Sequence, residues 1–384
     1  MSSPHAIAHL FRVPNDTSPT MDETELAECR PIGTNQSITL RSFEKVSNPK
    51  SIHGIYPYRG KMSAIDAAHI IGQLSSTDTL LDPFCGTGTI VYEAQARGMN
   101  AIGVDNNPVA CEIARGKTEP LDIDATISNL ESALEEAKRF NPHLSMPSTP
   151  SRYFHPETAD QIMRMLSVSG CFSAFEKSIL YGSICVAARA CNGWIWTSTS
   201  IGKLNPPLRE VDFYKIVMRK ARKHIIYVRG QPHARIHQYD TRRIYDIIPE
   251  NSIDVVYSSP PYFDALDYTG YYTKIVMEVL GIDRGAVRDG LIQRYSTYRD
   301  DMKLALKAID RVVREDAIII FVVGDRMVHR ELIRGSEFFT EIAPWNEPYI
   351  VERSYTSTPS KMWDKINKTH RKEQVIVWDL DRSR

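Results

Sequence analysis

The stretch from Thr79 to Asp105 limits what this chain can fold into more than any other part of it. Thr79-Leu80-Leu81 is a short apolar strand running into Asp82-Pro83-Phe84-Cys85-Gly86-Thr87-Gly88-Thr89, a glycine turn that opens a helix. The helix predicted from Ile90 to Arg97 stops at Gly98, the residue type that ends helices most readily. A second strand, Ala101-Ile102-Gly103-Val104, then delivers Asp105 about 20 residues after the glycines, the offset at which an acidic side chain meets ribose hydroxyls. Strand, turn, helix and strand in that order make a nucleotide pocket on a parallel sheet. Val91 stands where the third glycine of the dinucleotide fingerprint would be, so a pyrophosphate lacks an obvious seat. No Gly-x-x-x-x-Gly-Lys-Ser/Thr run occurs, which argues against phosphoryl transfer. An adenosyl ligand without phosphates fits better.

A later apolar run, Ile253-Asp254-Val255-Val256-Tyr257, ends in Ser258-Ser259-Pro260-Pro261-Tyr262. A Ser hydroxyl and the Pro260 carbonyl offer two hydrogen-bond acceptors, the paired prolines fix φ and remove two backbone donors, and Tyr262 supplies a face for stacking. Such groups can hold and polarise a planar amino nitrogen on a base taken out of its stack. Alone the pentapeptide is a turn with an aromatic, and its meaning comes from the glycine strand upstream.

These blocks together resemble the S-adenosylmethionine-dependent DNA amino-methyltransferases of cytosine-N4 type found in restriction-modification systems. His53-Gly54-Ile55-Tyr56-Pro57-Tyr58-Arg59-Gly60-Lys61-Met62 resembles the block such enzymes place before the glycine strand, and Asp82 to Thr89 the cofactor loop, departing in Thr87, where Ser is more usual. Gly103-Val104-Asp105-Asn106-Asn107-Pro108 resembles the ribose turn, and Ser259-Pro260-Pro261-Tyr262 the catalytic loop, followed by Phe263-Asp264-Ala265-Leu266-Asp267-Tyr268. The resemblance implies S-adenosylmethionine as cofactor. Tyr58, Arg59 and Lys61 would face its methionine carboxylate, and Asp82 with the backbone of Phe84, Gly86 and Gly88 would surround the methionine part. Asp105 and Asn106 would lie at the ribose, and Asp240 at the adenine amino group, the other reading of Asp240 being a turn cap before Thr241. Ser259, Pro260, Pro261 and Tyr262 are the implied catalytic set. Bonds from the amino hydrogens to Ser259 and the Pro260 carbonyl would favour a more tetrahedral nitrogen, with Tyr262 stacked on the base and no covalent enzyme intermediate. Ser259 favours cytosine N4, since Asp or Asn is commoner at that position for adenine N6. Adenine N6 is the alternative, and a catalytically silent DNA-binding protein of the same fold is another. Double-stranded DNA is the implied substrate, and a restriction endonuclease acting on the same site the implied partner.

Formal net charge is zero, so an enzyme acting on nucleic acid must concentrate its cations locally. Residues 203 to 243 hold eleven Lys or Arg against three acids, densest at Arg219, Lys220, Arg222 and Lys223, whereas Glu119 to Glu136 holds six acids and no base. The basic run is read as contacting DNA phosphate, against the alternative of a solvated helix face. Six cysteines show no Cys-x-x-Cys pair, which argues against a zinc site. No apolar run of about 18 residues occurs and the amino end has no basic-then-apolar segment, so a reduced, cytoplasmic protein without membrane insertion is expected.

The expected fold is α/β: a Rossmann-like doubly wound methyltransferase sheet with a closing antiparallel hairpin and a largely helical insertion. Residues 1–45 read as a polar arm with Met21 to Cys29 as its candidate helix, 46–118 and 235–384 as the catalytic domain, and 119–234 as the insertion, a candidate target-recognition region. Helices are expected over Ser63 to Leu74, Pro108 to Lys117, Ile127 to Phe140, Ala159 to Leu166, Phe175 to Cys191, Val211 to Val228, Gly270 to Leu280 and Tyr298 to Arg314. Further strands are expected over Ala234 to His237, Ala317 to Val323, Tyr349 to Tyr355 and Gln374 to Trp378.

Overall fold

The computed structural model describes residues 30–32, 36–38, 45–47, 51–58, 62–139, 145–194, 204–228, 234–261, 267, 269–328, 331–358 and 369–380. Arg59, Lys61, Tyr262 and the candidate helix Met21 to Cys29 lie outside these. Three short strands come first: β1 (Arg30–Ile32), β2 (Gln36–Ile38) and β3 (Lys45–Ser47). The first half of the sheet is built by α1 (Ala64–Ile71), β4 (Thr79–Asp82), α2 (Thr89–Ala96), β5 (Asn100–Asp105) and α3 (Pro108–Thr118). Helices then dominate: α4 (Ile123–Arg139), α5 (Ser148–Ser151), α6 (Pro156–Val168), α7 (Ala174–Cys191) and α8 (Phe213–His224). The sheet resumes with β6 (Ala234–Gln238) and β7 (Ile253–Ser258), followed by a π turn over Thr269–Thr273, α9 (Lys274–Val279), α10 (Arg284–Gly290) and α11 (Tyr298–Val312). The chain closes with β8 (Val313–Gly324), β9 (Arg326–Val328), β10 (Glu331–Ile333), α12 (Gly335–Ile342), β11 (Tyr349–Thr358) and β12 (Thr369–Asp379).

Eight strands form the main sheet in the order β3-β11-β12-β8-β7-β4-β5-β6. From β8 to β6 all neighbours are parallel, and β12 runs antiparallel between β8 and β11, which is the expected closing hairpin. Both faces of the central strands are covered, so their apolar runs need no alternation. Ile70, Ile71, Ile90 and Val91 of α1 and α2 cover one face. Tyr298, Met302, Leu306 and Ile309 of α11, with Phe338 and Phe339 of α12, cover the other. The chain lays down β4, β5 and β6 in one direction and returns to place β7 on the far side of β4. That reversal is a topological switch point, and it opens a crevice at the carboxyl ends of β4 and β7.

Observed bounds differ from the expected ones where caps intervene. The helix expected from Val211 starts at Phe213 because the Asp212 carboxylate accepts the Lys215 N–H at 3.0 Å. The helix expected over Gly270 to Leu280 is divided into the π turn and α9, and α12, β9 and β10 were not expected. Helices α4, α6, α7 and α8 share one apolar cluster with Ile52, Ile55, Tyr56 and Tyr58, so they pack on the segment that precedes the glycine strand.

Candidate active site

The crevice is built from the ends of three adjacent strands. At the end of β4 the chain turns through Gly86 and Gly88, whose φ values are +49° and +70°. Glycine is required at Gly88 for a second reason: a Cβ there would lie 2.8 Å from that of Ala114 on α3. The turn is held from all sides. Cys85 donates its N–H to the Val104 carbonyl at 2.9 Å, Gly88 donates to Cys85 at 2.7 Å, and the Thr241 hydroxyl donates to the Pro83 carbonyl at 2.6 Å. Lys117, buried on α3, reaches the Thr87 hydroxyl from behind at 3.3 Å. Tyr58 leans its ring over Gly86, 3.7 Å from where a Cβ would stand. The ring lies at ordinary van der Waals distance from that side of Gly86 and covers the turn there.

Asp105, at the end of β5, accepts the Gly86 N–H at 2.9 Å through Oδ2 and the Asn107 N–H at 2.8 Å through Oδ1. A carboxylate has about four lone-pair sites, so both oxygens keep capacity for ribose hydroxyls. Burial raises its pKa while these backbone donors pull it back down. The Gly86 N–H is thus spent inside the turn, as is that of Phe84, which points to Asp82 Oδ1 at 3.3 Å. Asn106 turns its amide to the Gly290 carbonyl at 2.9 Å, and Asn107 turns its own to the Thr273 hydroxyl at 3.2 Å. Asp240 caps the turn that follows it, accepting the Arg242 N–H at 2.9 Å, and both its oxygens are clasped by the Arg242 guanidinium, which also binds Asp301 at 2.6 Å. An adenine amino group would meet a carboxylate that is already paired.

Strand β7 brings the second half of the site. Its pairing of Leu80 with Val255 and Leu81 with Val256 sets the last residues of the two strands, Asp82 and Ser258, at neighbouring strand ends. The buried Ser258 hydroxyl donates to Asp82 Oδ1 at 2.7 Å. Ser259 is half-buried, Pro260 buried, and the Pro261 carbonyl accepts from the buried Tyr298 hydroxyl at the start of α11. From sequence Ser258 stands in the motif without a role of its own, and Tyr298 only as a helix start. Past the turn, Asp267 accepts from Thr269 Oγ1 at 2.6 Å and the Gly270 N–H at 2.9 Å, which starts the π turn. Asp82, Phe84, Gly86, Gly88, Asp105, Ser259, Pro260 and Pro261 therefore gather at the carboxyl ends of β4, β5 and β7, with Tyr58 against Gly86.

The basic helix α8 stands beside the segment that carries Tyr58. Lys220 Nζ donates to the Gly54 carbonyl at 3.3 Å, and the buried His224 lies 3.2 Å from the Ser51 carbonyl through Nδ1. Arg222 pairs with Glu131 of α4 at 2.8 Å. Arg219 and Lys223, one helical turn apart, are exposed, and among the described residues neither has an ion-pair partner. No helix among the described residues is long and apolar enough to cross a membrane.

Comparison with known proteins points to the same strands. Residues 65–116, from α1 through the glycine turn and Asp105 to α3, match the DNA methylase family, whose name spans both N6 and N4 targets. The chain is similar to the type II methyltransferase M.MjaII of Methanocaldococcus jannaschii, 33% identical over 96 residues, which is 25% of this chain and 18% of that protein. It is similar to the type II methyltransferase M.BsoBI of Geobacillus stearothermophilus at 22% identity over 347 residues, 79% of this chain and 66% of that protein. The chain thus spans less than two thirds of the length of these curated relatives. Among solved structures, the rRNA methyltransferase aviRa from Streptomyces viridochromogenes superposes with a TM-score of 0.35 at 12% identity, over 85% of this chain and 88% of that one. The family match supports S-adenosylmethionine as the cofactor.

Proposed function

We propose that this chain, whose residues 65–116 match the DNA methylase family, transfers a methyl group from S-adenosylmethionine to the exocyclic N4 of cytosine in duplex DNA, as part of a restriction-modification system. The observation that carries the reading is the meeting of the glycine turn and the Ser259-Pro260 turn at one switch point, joined by the 2.7 Å bond between Ser258 and Asp82. S-adenosylmethionine supplies an electrophilic methyl group on a sulfonium. The chain's own residues do the rest. Asp105, with lone pairs to spare, takes the ribose hydroxyls, and the glycine turn with Tyr58 beside it takes the methionine portion. Arg59 and Lys61 are assigned to the carboxylate, and Asp240 would take the adenine amino group only by giving up one of its Arg242 contacts.

At the other turn, Ser259 Oγ and the Pro260 carbonyl accept the two amino hydrogens, and Pro261 keeps the backbone from offering a competing donor. Tyr262 stacks on the extruded base. Those bonds draw the nitrogen lone pair out of conjugation with the ring, and alignment of the two turns supplies most of the rest of the catalysis. Asp is absent from the first position of Ser259-Pro260-Pro261-Tyr262, which favours cytosine N4 over adenine N6.

Helices of residues 119–234 serve as the target-recognition region, with Arg219 and Lys223 as its phosphate contacts, since Arg222 and Lys220 are drawn toward Glu131 and Gly54. A restriction endonuclease of the same specificity is the partner this reading calls for. Binding of S-adenosylhomocysteine tests the cofactor half. Asp105→Ala is expected to weaken it by about tenfold or more, the loss of two charge-assisted ribose bonds. Unchanged affinity would remove Asp105 from the site.

A further inference from the structure

Side chains that end two strands distant in sequence meet inside the crevice, and their contact does more than hold the sheet together. Ser258 is fully buried, and its hydroxyl has Asp82 Oδ1 as its hydrogen-bond partner at 2.7 Å. Asp82 is the first residue of the glycine turn, and the same oxygen accepts the Phe84 N–H, so the carboxylate is shared by the two loops. Three residues beyond Ser258, the Pro261 carbonyl is fixed by Tyr298. Only Ser259 and Pro260 lie between these anchors, and Pro260 has a φ already set by its ring. The two groups proposed to hold the substrate amine are therefore placed by Ser258 on one side and Tyr298 on the other.

We infer that Asp82 and Ser258 form a latch through which the seating of the cofactor turn fixes the Ser259-Pro260 turn, with Ser258 as a positioning residue for transfer. This rests on the methyltransferase reading above and adds to it a coupling between the two halves of the site. A carboxylate kept in a buried place costs free energy that a neutral side chain would avoid, which is expected where ionisation serves a function. Burial pushes the Asp82 carboxyl up to about 7, against the pull of Ser258 and the Phe84 N–H. Asp105 on β5 is the charged group that faces it and pushes the same way, and the Cys85 thiol on the turn is held neutral by its own burial. An ionised carboxylate is the stronger acceptor, so the latch tightens as pH rises through this value. The cofactor's ammonium and sulfonium cations favour the same ionised state.

Sinefungin, a cationic analogue that transfers no methyl group, reads the latch without turnover. In calorimetric titrations from about pH 5.5 to about pH 8.5, wild-type affinity is expected to rise with a midpoint near the Asp82 value. Ser258→Ala moves that limb to higher pH, because the bond that lowers the carboxyl pKa is gone, whereas Ser258→Thr, which keeps the hydroxyl, leaves it in place. Asp82→Asn abolishes the limb. At saturating cofactor, kcat for labelled methyl transfer falls about tenfold in Ser258→Ala. A Ser258→Ala profile that superposes on the wild type, or a limb that survives in Asp82→Asn, overturns the latch. A wild-type limb that moves as expected in protein that methylates no DNA upholds the latch and overturns the proposed function instead.

Discussion

Asp82 shows how the site is held at the scale of one residue, and it makes a prediction about stability separate from catalysis. Its carboxyl, pushed up to about 7 by burial, has a folded-state pKa above the unfolded one. Such a group contributes stability that is complete below the unfolded pKa and is lost as pH rises through the folded value. In urea unfolding, the stability of Asp82→Asn relative to wild type is therefore expected to improve by about 2–4 kcal/mol between pH 4 and pH 8. Parallel stability curves would show that Asp82 titrates normally. Asp82 and Asp105 were legible in the sequence because their offsets from the glycines carry meaning. The contacts of Ser258 and Tyr298 were not. Their roles depend on the neighbouring of β4 and β7 and on a bond across 37 residues of sequence, and no local pattern encodes either.

Among the elements, the packing of α2 on α3 is what the glycine turn most depends on. Gly88 caps α2 in the left-handed region, at φ +70° and ψ +41°, with the Ala114 Cβ 2.8 Å from the place its own would take. Gly88→Ala combines a left-handed penalty with overpacking, and a loss of about 2–4 kcal/mol in urea unfolding is expected. A loss below about 0.5 kcal/mol would mean that α3 gives way without cost. The parallel strands were legible because both faces are covered, so each reads as a short unbroken apolar run, as in Ala317 to Val323. Strand β8 starts earlier, at Val313, since its first turn of residues, Arg314, Glu315 and Asp316, is exposed and has no hydrophobic signature. Helix α12 was missed for a different reason. It begins with Gly335, a poor helix former, which is needed because a Cβ would lie 2.8 Å from the Gly324 carbonyl, and the Asp325 carboxylate accepts the Gly335 N–H at 3.1 Å.

Across the whole molecule, zero net charge conceals a separation that folding partly undoes. The acidic α4 and the basic α8 pack together, and Arg222 is paired with Glu131, so the four-residue cluster read from the sequence presents Arg219 and Lys223 as its exposed, unpaired cations among the described residues. Sequence shows charge along the chain but not which helices will face each other. Reversal of both, Arg219→Glu with Lys223→Glu, is expected to weaken duplex binding and reduce the slope of log affinity against log salt by about 2, with cofactor binding unchanged. An unaltered slope would make α8 a solvated surface. All of this serves amine methylation at the switch point. Methyl transfer from labelled S-adenosylmethionine to mixed-sequence duplex DNA, with the product nucleosides identified by mass spectrometry, tests it most directly. The expected product is N4-methylcytosine, lost in Ser259→Ala, whereas N6-methyladenine, or no methylated nucleoside from protein that binds the cofactor, would overturn the proposed chemistry.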